Sequence, residues 1–592
     1  MKARNEIDPA DVWDLSSLYK NPEEWEKSFA KAKNLPSLEK FKGHLGDGID
    51  LFVEAFKTLY DTSRNLEKLY TYAHLYHDQD ITEEVAKGQL ARIQTLYLQF
   101  QDEKAWFEPE VLALPNDLLK LYLNSPKLGD YRFPLEIILH LKPHVLDAKE
   151  EALLAKSEEA LSANSKAFRA LTDADLQFPA VKDSQGKDYP LSHGAYGFYL
   201  RSPDRELRKN TFLSYHQTFS QFKNTLVELY QGLLKKHQFN AKVRGYKNCL
   251  EGALYPYNIP TEVYHALVKA ANDGIGAHHE YIELRKKILG LDKFHLYDSY
   301  APLVEGVDVE IPYDEAVSLV IASVAPLGSE YQNTLARGLT DEKWVDRYEN
   351  KNKRSGAYSS GCYDSRPYIL MNYKGSFRDL FTLAHEAGHS MHSYLSKKTQ
   401  PYPVADYPIF LAEVASTFNE ELLFQHLLKN TTDPKKRRFL ITQKLDDIRA
   451  TFFRQTMFAE FELKTHEWAE QGIPLTPEKL NSYYKELNKT YFGPALEWDA
   501  VAESEWSRIP HFYSNFYVYQ YATGISAALQ LATKVLQGKA EDRERYLKFL
   551  SSGGSNYPIP LLKEAGVDLT KGDAVAATLN IFRDLTKQLA LA

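Results

Sequence analysis

Cysteine is scarce in this chain of 592 residues, which contains two, Cys249 and Cys362. Cysteines that share a metal ion or form a redox centre usually lie within a few residues of one another, whereas these two lie far apart. A disulfide framework is therefore excluded as the source of stability. So few cysteines are typical of a protein that works in a reducing compartment.

Long apolar stretches are also missing. No run reaches the roughly 18 consecutive apolar residues that a membrane-spanning helix needs. The N-terminal sequence, MKARNEIDP, contains no apolar segment of the kind found in a signal peptide. We therefore predict a cytoplasmic protein that has no membrane partner.

An excess of basic charge is absent as well, since the formal net charge is -8 at pH 7. Nucleic-acid binding requires a concentrated basic surface. The one dense basic run, residues 435–438 (KKRR), follows Asp433 and Pro434 at a predicted helix start, and we interpret it as a solvated helix face. Nucleic acid is therefore not a predicted partner.

Helical periodicity dominates what is present. Apolar residues recur three and four positions apart within residues 65–104, 150–171, 205–239 and 261–289. The clearest strand signals are residues 181–189, which read as a hairpin around Gln185 and Gly186, and residues 367–373 (PYILMNY). The sequence predicts a mainly α-helical protein with a small β element, and domain boundaries near residues 110 and 195.

The sequence HEAGH, from His385 to His389, is the most informative motif. Residues four apart on a helix differ by about 40° in azimuth and about 6 Å in height, so both imidazoles can bind one ion. A catalytic zinc ion has three protein ligands and leaves its fourth position to water. Glu386 stands beside the first histidine and can act as a general base without binding the metal.

The surrounding residues predict the helix independently of the motif. Ser376 followed by Asp379 is typical of a capping box at a helix start, and the residues after it supply an apolar side. Gly388 lies inside this helix, where glycine costs about 1 kcal/mol relative to alanine. We therefore expect a neighbouring segment to pass close to Gly388, beside the metal.

The third ligand distinguishes the zinc families. Metzincins place a histidine where this chain has Leu395, which excludes that class. His392 lies one turn beyond the metal, and we interpret it as a hydrogen-bonded or solvated histidine. On the apolar helix predicted for residues 409–424, Glu413 and Glu420 share one face. Glu413 could bind zinc while Glu420 accepts the free N–H of a ligating histidine; the alternative is an ordinary ion pair for either carboxylate.

Several segments together resemble the oligoendopeptidase F branch of the thimet oligopeptidase family. The resemblance covers roughly residues 200 to 590 and rests on residues 356–359 (GAYS), 367–373, 381–394 (FTLAHEAGHSMHSY), 413–417 (EVAST), 511–513 (HFY), 516–524 (FYVYQYATG) and 549–555 (FLSSGGS).

This resemblance implies a zinc-dependent endopeptidase of short peptides, with one zinc ion bound by His385, His389 and Glu413 and with Glu386 as the base. It implies a large, multi-lobed helical zincin-type fold with a small sheet beside the active-site helix and a deep channel. It also implies an N-terminal helical region (1–110), an oligopeptidase N-terminal domain (111–195) and a catalytic domain (196–592). Residues 367–373 would lie on the channel floor and pair with the substrate backbone.

Tyrosines after Pro510 are expected to complete the site. Tyr517 and Tyr521 are four apart, which places them on one face of a helix. Aromatic residues at this spacing usually belong to a core. By the resemblance, His511, Tyr517 and Tyr521 donate hydrogen bonds to the oxyanion of the tetrahedral intermediate. A further tyrosine of the family is replaced here by Gly524.

Two other functions share the helix motif. A helical zinc carboxypeptidase would also carry HEAGH, but it would require a free substrate C-terminus. A catalytically silent peptide-binding protein could keep a structural zinc ion. The glutamate beside His385 weighs against the second alternative, because a structural site closes its fourth position with protein and has no use for that carboxylate. The sequence does not predict the oligomeric state.

Overall fold

The computed structural model describes residues 1–304, 306 and 310–591. The chain forms two compact units, each assembled from separate segments. The first comprises Met1–Pro143, Val309–His426 and Leu531–Gly566, and the second comprises His144–Asp308, Leu427–Gln530 and Val567–Ala592. Across the described ranges, no helix combines the length and apolar composition needed to cross a membrane.

Helices make up most of the protein, which confirms the predicted mainly α fold. In chain order, α1 to α25 are Pro22–Ala32, Ile49–Gln79, Glu84–Lys104, Phe107–Ala113, Asn116–Asn124, Arg132–Leu141, Ala148–Leu161, Ala163–Arg169, His193–Tyr199, Arg205–Ser220, Lys223–Val243, Cys249–Leu254, Thr261–Asp273, Gly276–Ile288, Tyr313–Ser323, Ser329–Leu339, Phe377–Thr399, Ile409–Asn430, Pro434–Ile448, Arg454–Glu470, Pro477–Phe492, Tyr519–Leu536, Ala540–Ser551, Pro558–Ala565 and Asp573–Leu591.

Each long periodic stretch of the sequence forms two helices rather than one. The stretch 65–104 breaks between α2 and α3, where the Asp80 carboxylate accepts the backbone N–H and the hydroxyl of Thr82. Such a local side-chain turn competes with the helical backbone. The stretch 261–289 breaks at Gly274, which ends α13. Periodicity indicated helices in each stretch but not these interruptions, and α7, which overlaps the stretch 150–171, buries no residue.

Within the described part of the chain, five short strands form two sheets. Strands β1 (Val181–Lys182) and β2 (Asp188–Tyr189) pair as the antiparallel hairpin that the sequence predicted. Strands β3 (Val345–Asp346), β4 (Tyr358–Ser360) and β5 (Tyr368–Leu370) form the second sheet, in the order β3-β5-β4. β5 is parallel to β3 and antiparallel to β4.

The position of β5 corrects one expectation. Its three residues are fully buried, and both of its hydrogen-bonding edges are occupied by β3 and β4. The prediction that residues 367–373 pair with substrate is therefore wrong. Tyr368 and Leu370 also pack into the apolar core of the first unit, to which helices α1 to α5 contribute. β5 is thus a central structural strand, and its continuous apolar sequence reflects burial on all sides.

Candidate metal centre and its surroundings

The helix that carries the histidines, α17, begins with the predicted capping box. The Ser376 hydroxyl accepts the backbone N–H of Asp379 at 3.2 Å, and the Asp379 carboxylate accepts the backbone N–H of Ser376 at 3.0 Å. Two of the otherwise unpaired N–H groups of the first turn are thereby satisfied. The helix therefore begins at a defined residue two turns before His385, which determines the side of the helix on which that histidine lies.

Three donor atoms converge in the first unit. Nε2 of His385 lies 3.2 Å from Nε2 of His389. The Oε2 atom of Glu413, from α18, lies 3.5 Å from the first nitrogen and 3.9 Å from the second. Ligands at the 2.0–2.2 Å bond lengths of tetrahedral zinc stand about 3.3–3.6 Å apart. The three side chains therefore fit one such ion, and they form the one metal-ligand cluster found among the described residues.

Glu420 fixes the orientation of His385. One of its carboxylate oxygens accepts the Nδ1–H of that histidine, which turns Nε2 toward the cluster. Burial alone would lower the pKa of His385, but the hydrogen bond and charge of Glu420 outweigh burial and raise the pKa to about 9. Burial lowers the pKa of His389 to about 3, so this ring is neutral at pH 7. The neighbouring carboxylates thus increase the affinity of the His385 ring for a cation.

The close approach expected at Gly388 is confirmed. A Cβ atom at this position would stand 2.7 Å from the carbonyl oxygen of Ala415 and 2.7 Å from the Cα atom of Ser416. Glycine therefore allows the backbone of α18 to pass directly against α17. This contact brings Glu413 and Glu420 to the two histidines, since both carboxylates flank the crossing point on α18.

Glu386 lies beside the donor cluster with its side chain largely buried. Burial raises the pKa of its carboxyl group to about 6, while the backbone N–H of Ser359 donates to it and acts in the opposite direction. The Ser359 hydroxyl also hydrogen-bonds the Ser390 hydroxyl of α17 at 2.8 Å. Strand β4 is therefore attached directly to the face of the helix that carries Glu386.

Strand β4 is also held by helix α2, a contribution that sequence reasoning missed. The Asp78 carboxylate accepts the Tyr358 hydroxyl at 2.8 Å and the Arg354 guanidinium at 3.0 Å. Nε2 of His74 and the Ser360 hydroxyl are 3.0 Å apart. Asp78 and Tyr358 are 280 residues apart in sequence, so no local pattern connects them.

His392 is neither solvated nor hydrogen-bonded, contrary to expectation. Its ring is completely buried and stacks on Tyr407, with ring centroids 3.6 Å apart and planes 12° from parallel. Neither ring nitrogen has a hydrogen-bond partner among the described residues. Burial lowers the pKa of His392 to about 3, and the neutral ring packs as an aromatic side chain outside the donor cluster.

In the second unit, the predicted oxyanion residues His511, Tyr517 and Tyr521 form an aromatic cluster. The Tyr517 and Tyr521 rings are edge to face, with centroids 5.3 Å apart, and the His511 ring lies 6.5 and 5.9 Å from them. Helix α22 begins at Tyr519, so Tyr517 does not share a helical face with Tyr521 as predicted. A left-handed residue, Phe516 (φ 47°), turns the chain and brings the two tyrosines together.

That turn is held by a buried carboxyl group that the sequence did not single out. The backbone N–H of Phe516 donates to Oε1 of Glu462 at 2.7 Å, and the Phe516 ring packs 4.4 Å from the ring of His466. Glu462 is fully buried, and burial raises its pKa well above the ordinary value. A left-handed conformation is costly for a bulky residue, so this hydrogen bond has a structural purpose.

Comparison with known proteins shows the family. The profile of peptidase family M3 matches residues 198–581, well over half of the chain, and the oligopeptidase F profile matches residues 110–178. The chain belongs to peptidase family M3. Its M3 relatives include oligopeptidase PepF of Bacillus subtilis, 45% identical over 98% of this chain and 87% of the relative. An oligoendopeptidase F homolog of Borreliella burgdorferi is 40% identical over 98% of both chains.

Solved structures give the same result. A structure from Chlamydophila abortus shares 42% identity and superposes with a TM-score of 0.95 over 99% of both chains. Oligoendopeptidase-F from Enterococcus faecium shares 36% identity, with a TM-score of 0.73 over 96% of this chain and 98% of the other. Family membership together with these relatives makes this M3 protein an oligopeptide-hydrolysing metalloendopeptidase.

Proposed function

We propose that this enzyme hydrolyses internal bonds of short peptides with one zinc ion bound by His385, His389 and Glu413. The observation that supports the proposal is the spacing of the three donor atoms, 3.2 to 3.9 Å, which suits the edges of a zinc coordination tetrahedron. When bound, zinc supplies Lewis acidity that polarises a peptide carbonyl and makes water a stronger acid.

Glu386 is the proposed general base. Its carboxylate accepts a proton from the attacking water and donates it to the nitrogen of the leaving amine. A carboxyl group with a pKa of about 6 is ionised at neutral pH, yet it is a stronger base than an ordinary glutamate. The backbone N–H of Ser359 holds the carboxylate in place.

Glu420 is proposed to orient His385 by accepting its Nδ1–H, as carboxylates commonly do behind a ligating histidine. His511, Tyr517 and Tyr521 are proposed as donors to the oxyanion. Burial lowers the pKa of His511, so its neutral ring can donate one N–H, and each tyrosine can donate its hydroxyl.

The substrate backbone is proposed to add to β4 rather than to β5. Among the described residues, β4 pairs with β5 alone, so its second edge carries no strand. Ser359 lies on β4, and its N–H reaches Glu386, which places this edge next to the proposed base. Backbone pairing makes little demand on side chains and suits broad specificity.

The remaining parts of the proposal concern the whole chain. We also propose domain boundaries near residues 110 and 195, with a catalytic domain at 196–592. We propose a cytoplasmic location, where the enzyme would degrade short peptides without nucleic-acid or membrane partners.

Substitution of Glu386 tests the mechanism. Glu386→Gln should retain about one zinc per chain and lose more than about 100-fold in turnover of an internally quenched peptide blocked at both ends, because a general base typically contributes 10²–10⁴-fold. Zinc content is measured by metal analysis, and chelation followed by zinc addition should abolish and restore wild-type activity. Glu330→Gln, at an exposed carboxylate on α16, is the matched control. Substantial turnover by Glu386→Gln would reject Glu386 as the base.

A further inference from the structure

A group of arginines surrounds Tyr300 in the second unit. The Arg449 guanidinium lies 4.8 Å from the centroid of the Tyr300 ring, and that of Arg201 lies 5.8 Å from it. Arg454 and Arg508 are close enough to act electrostatically on the Tyr300 hydroxyl. We call Tyr300 and these four arginines the Tyr300 cluster.

The carboxylates that the structure describes near this cluster do not balance its charge. Glu505 is shared by Arg454 at 2.6 Å and Arg508 at 2.7 Å. Asp446 is shared by Arg449 at 3.4 Å and by the buried Arg285 at 3.0 Å. Arg201 donates to the backbone carbonyl of Gly197. Among the described residues, two carboxylates therefore face five guanidinium groups: Arg201, Arg285, Arg449, Arg454 and Arg508.

Two further ionisable side chains nearby, Asp298 and His216, do not supply the missing negative charge. Asp298 is buried and is already paired with Arg205 at 2.9 Å and Arg208 at 3.1 Å. His216 is neutral, because burial lowers its pKa to about 3. The net positive charge also explains why the arginines lower the pKa of Tyr300 although burial would raise it.

The cluster is partly open to solvent, although Arg449 is buried. Arg201 is exposed and Tyr300 is half-buried. The side chains of Arg454 and Arg508 each keep 17% of their surface accessible. Unbalanced charge that is partly removed from water is unfavourable unless an anion accompanies it. The planar guanidinium group suits a carboxylate, which it can bind through two parallel hydrogen bonds.

The cluster is adjacent to a residue of the proposed site. Arg454 acts electrostatically on His511, and Arg508 precedes His511 by three residues on the same segment. We propose that the Tyr300 cluster binds a carboxylate of the peptide substrate, with Arg201 and the Tyr300 hydroxyl as donors that have no carboxylate partner in the described part of the chain. This inference rests on the proposed function, because it takes the ligand to be the peptide.

Binding of matched peptides tests the inference without relying on turnover. Full-length Glu386→Gln protein is titrated with an N-terminally labelled peptide, and the Kd is measured by fluorescence anisotropy. One pair of peptides differs by a C-terminal carboxylate or amide. The two peptides of a second pair both have an amidated C-terminus and differ at one internal residue, which is Glu in one peptide and Gln in the other. We expect the charged member of one pair to bind about tenfold more tightly, as a charge-assisted hydrogen bond allows. The pair that shows the preference identifies which carboxylate is bound.

Two substitutions on this background assign the preference to the cluster. Arg201→Gln removes an exposed charge, and Tyr300→Phe removes the hydroxyl but keeps the ring. Both should bring the ratio of the two Kd values close to one. Arg583→Gln is the matched control, since Arg583 also donates to a glycine carbonyl in the second unit, and it should keep the full ratio. Equal Kd values in both pairs, or a ratio unchanged in Arg201→Gln and Tyr300→Phe, would overturn the inference even if Glu386 is the base.

Discussion

Among the described residues, Glu420 hydrogen-bonds the proposed metal ligands through His385, whose Nδ1–H it accepts. Replacing such an outer carboxylate typically costs 10- to 100-fold in metal affinity or activity, because the ligating ring loses its orientation and some of its basicity. We expect Glu420→Gln to weaken zinc binding by about that factor, as measured by competition with a chromogenic chelator. Glu330→Gln should leave the affinity unchanged, and unaltered affinity in Glu420→Gln would contradict the assigned role.

Glu462 allows a separate test of the proposed oxyanion residues, because it acts through Phe516, which is not itself one of them. Burial raises the pKa of Glu462, which favours its uncharged form, and Gln keeps both its shape and its acceptor for the Phe516 N–H. Glu462→Gln should retain kcat within about twofold, whereas Glu462→Ala leaves a buried N–H unpaired, at a cost of about 1–3 kcal/mol.

Hydrogen exchange distinguishes this positioning role from general destabilisation. In Glu462→Ala, the amide of Phe516 should exchange faster than amides of the α20 interior, and kcat should fall more than KM rises. In Glu462→Gln, protection of that amide should persist. Uniform loss of protection across the second unit would instead indicate a purely structural role.

At the scale of elements, the crossing of α17 and α18 depends on Gly388. A methyl group at this position would meet the Ala415 carbonyl oxygen and the Ser416 Cα atom at 2.7 Å, so the two helices must separate. Gly388→Ala should lower the free energy of unfolding by about 1–3 kcal/mol and reduce zinc affinity, because Glu413 moves with α18. Urea unfolding and zinc titration measure the two effects.

Gly88 in α3 provides the control for helix propensity. It is exposed, and a Cβ atom there meets nothing within 4 Å. Gly88→Ala should therefore raise the free energy of unfolding by up to about 1 kcal/mol. If Gly388→Ala proved equally stabilising, close packing would not explain the glycine.

Local signals account for what the sequence could predict about these elements. The start of α17, the shared face of His385 and His389, and the close contact at Gly388 all follow from residues within one helix. The sequence also selected Glu413 and Glu420, because carboxylates stand out on the apolar α18. The attachment of β4 could not be predicted, since Ser359, Asp78 and Glu386 meet through tertiary packing. The wrong prediction that residues 367–373 pair with substrate has the same origin, because the sequence of an apolar strand does not reveal which strands pair with its two edges.

At the scale of the whole molecule, buried neutral histidines predict sensitivity to acid. Burial lowers the pKa of His216 and His278 to about 3 and that of His466 to about 4, from an ordinary value of about 6.5. Above pH 6.5 these rings are neutral in both the folded and the unfolded chain. Below pH 6.5 the unfolded chain binds protons that the folded chain does not, so the free energy of unfolding falls as pH falls.

Each such histidine contributes a slope of up to about 1.4 kcal/mol per pH unit between pH 6 and 4. Urea unfolding of chelator-treated protein at several pH values measures this slope. His278→Gln should reduce this slope by up to about 1.4 kcal/mol per pH unit, which is the contribution of one proton, although the variant is less stable at pH 7. An unaltered slope in His278→Gln would show that this ring is not buried in its neutral form.

The discontinuous first unit has a consequence for biosynthesis. Its segments Met1–Pro143 and Val309–His426 are separated by the chain of the second unit, yet Asp78 must meet Tyr358 before β4 is secured. At roughly 5–20 residues per second, a ribosome needs on the order of 10–30 s to synthesise the intervening chain. Throughout that interval the apolar faces of α1 to α5 lack Tyr368 and Leu370. We therefore expect the nascent N-terminal helices of this peptidase to benefit from protection by a chaperone during translation.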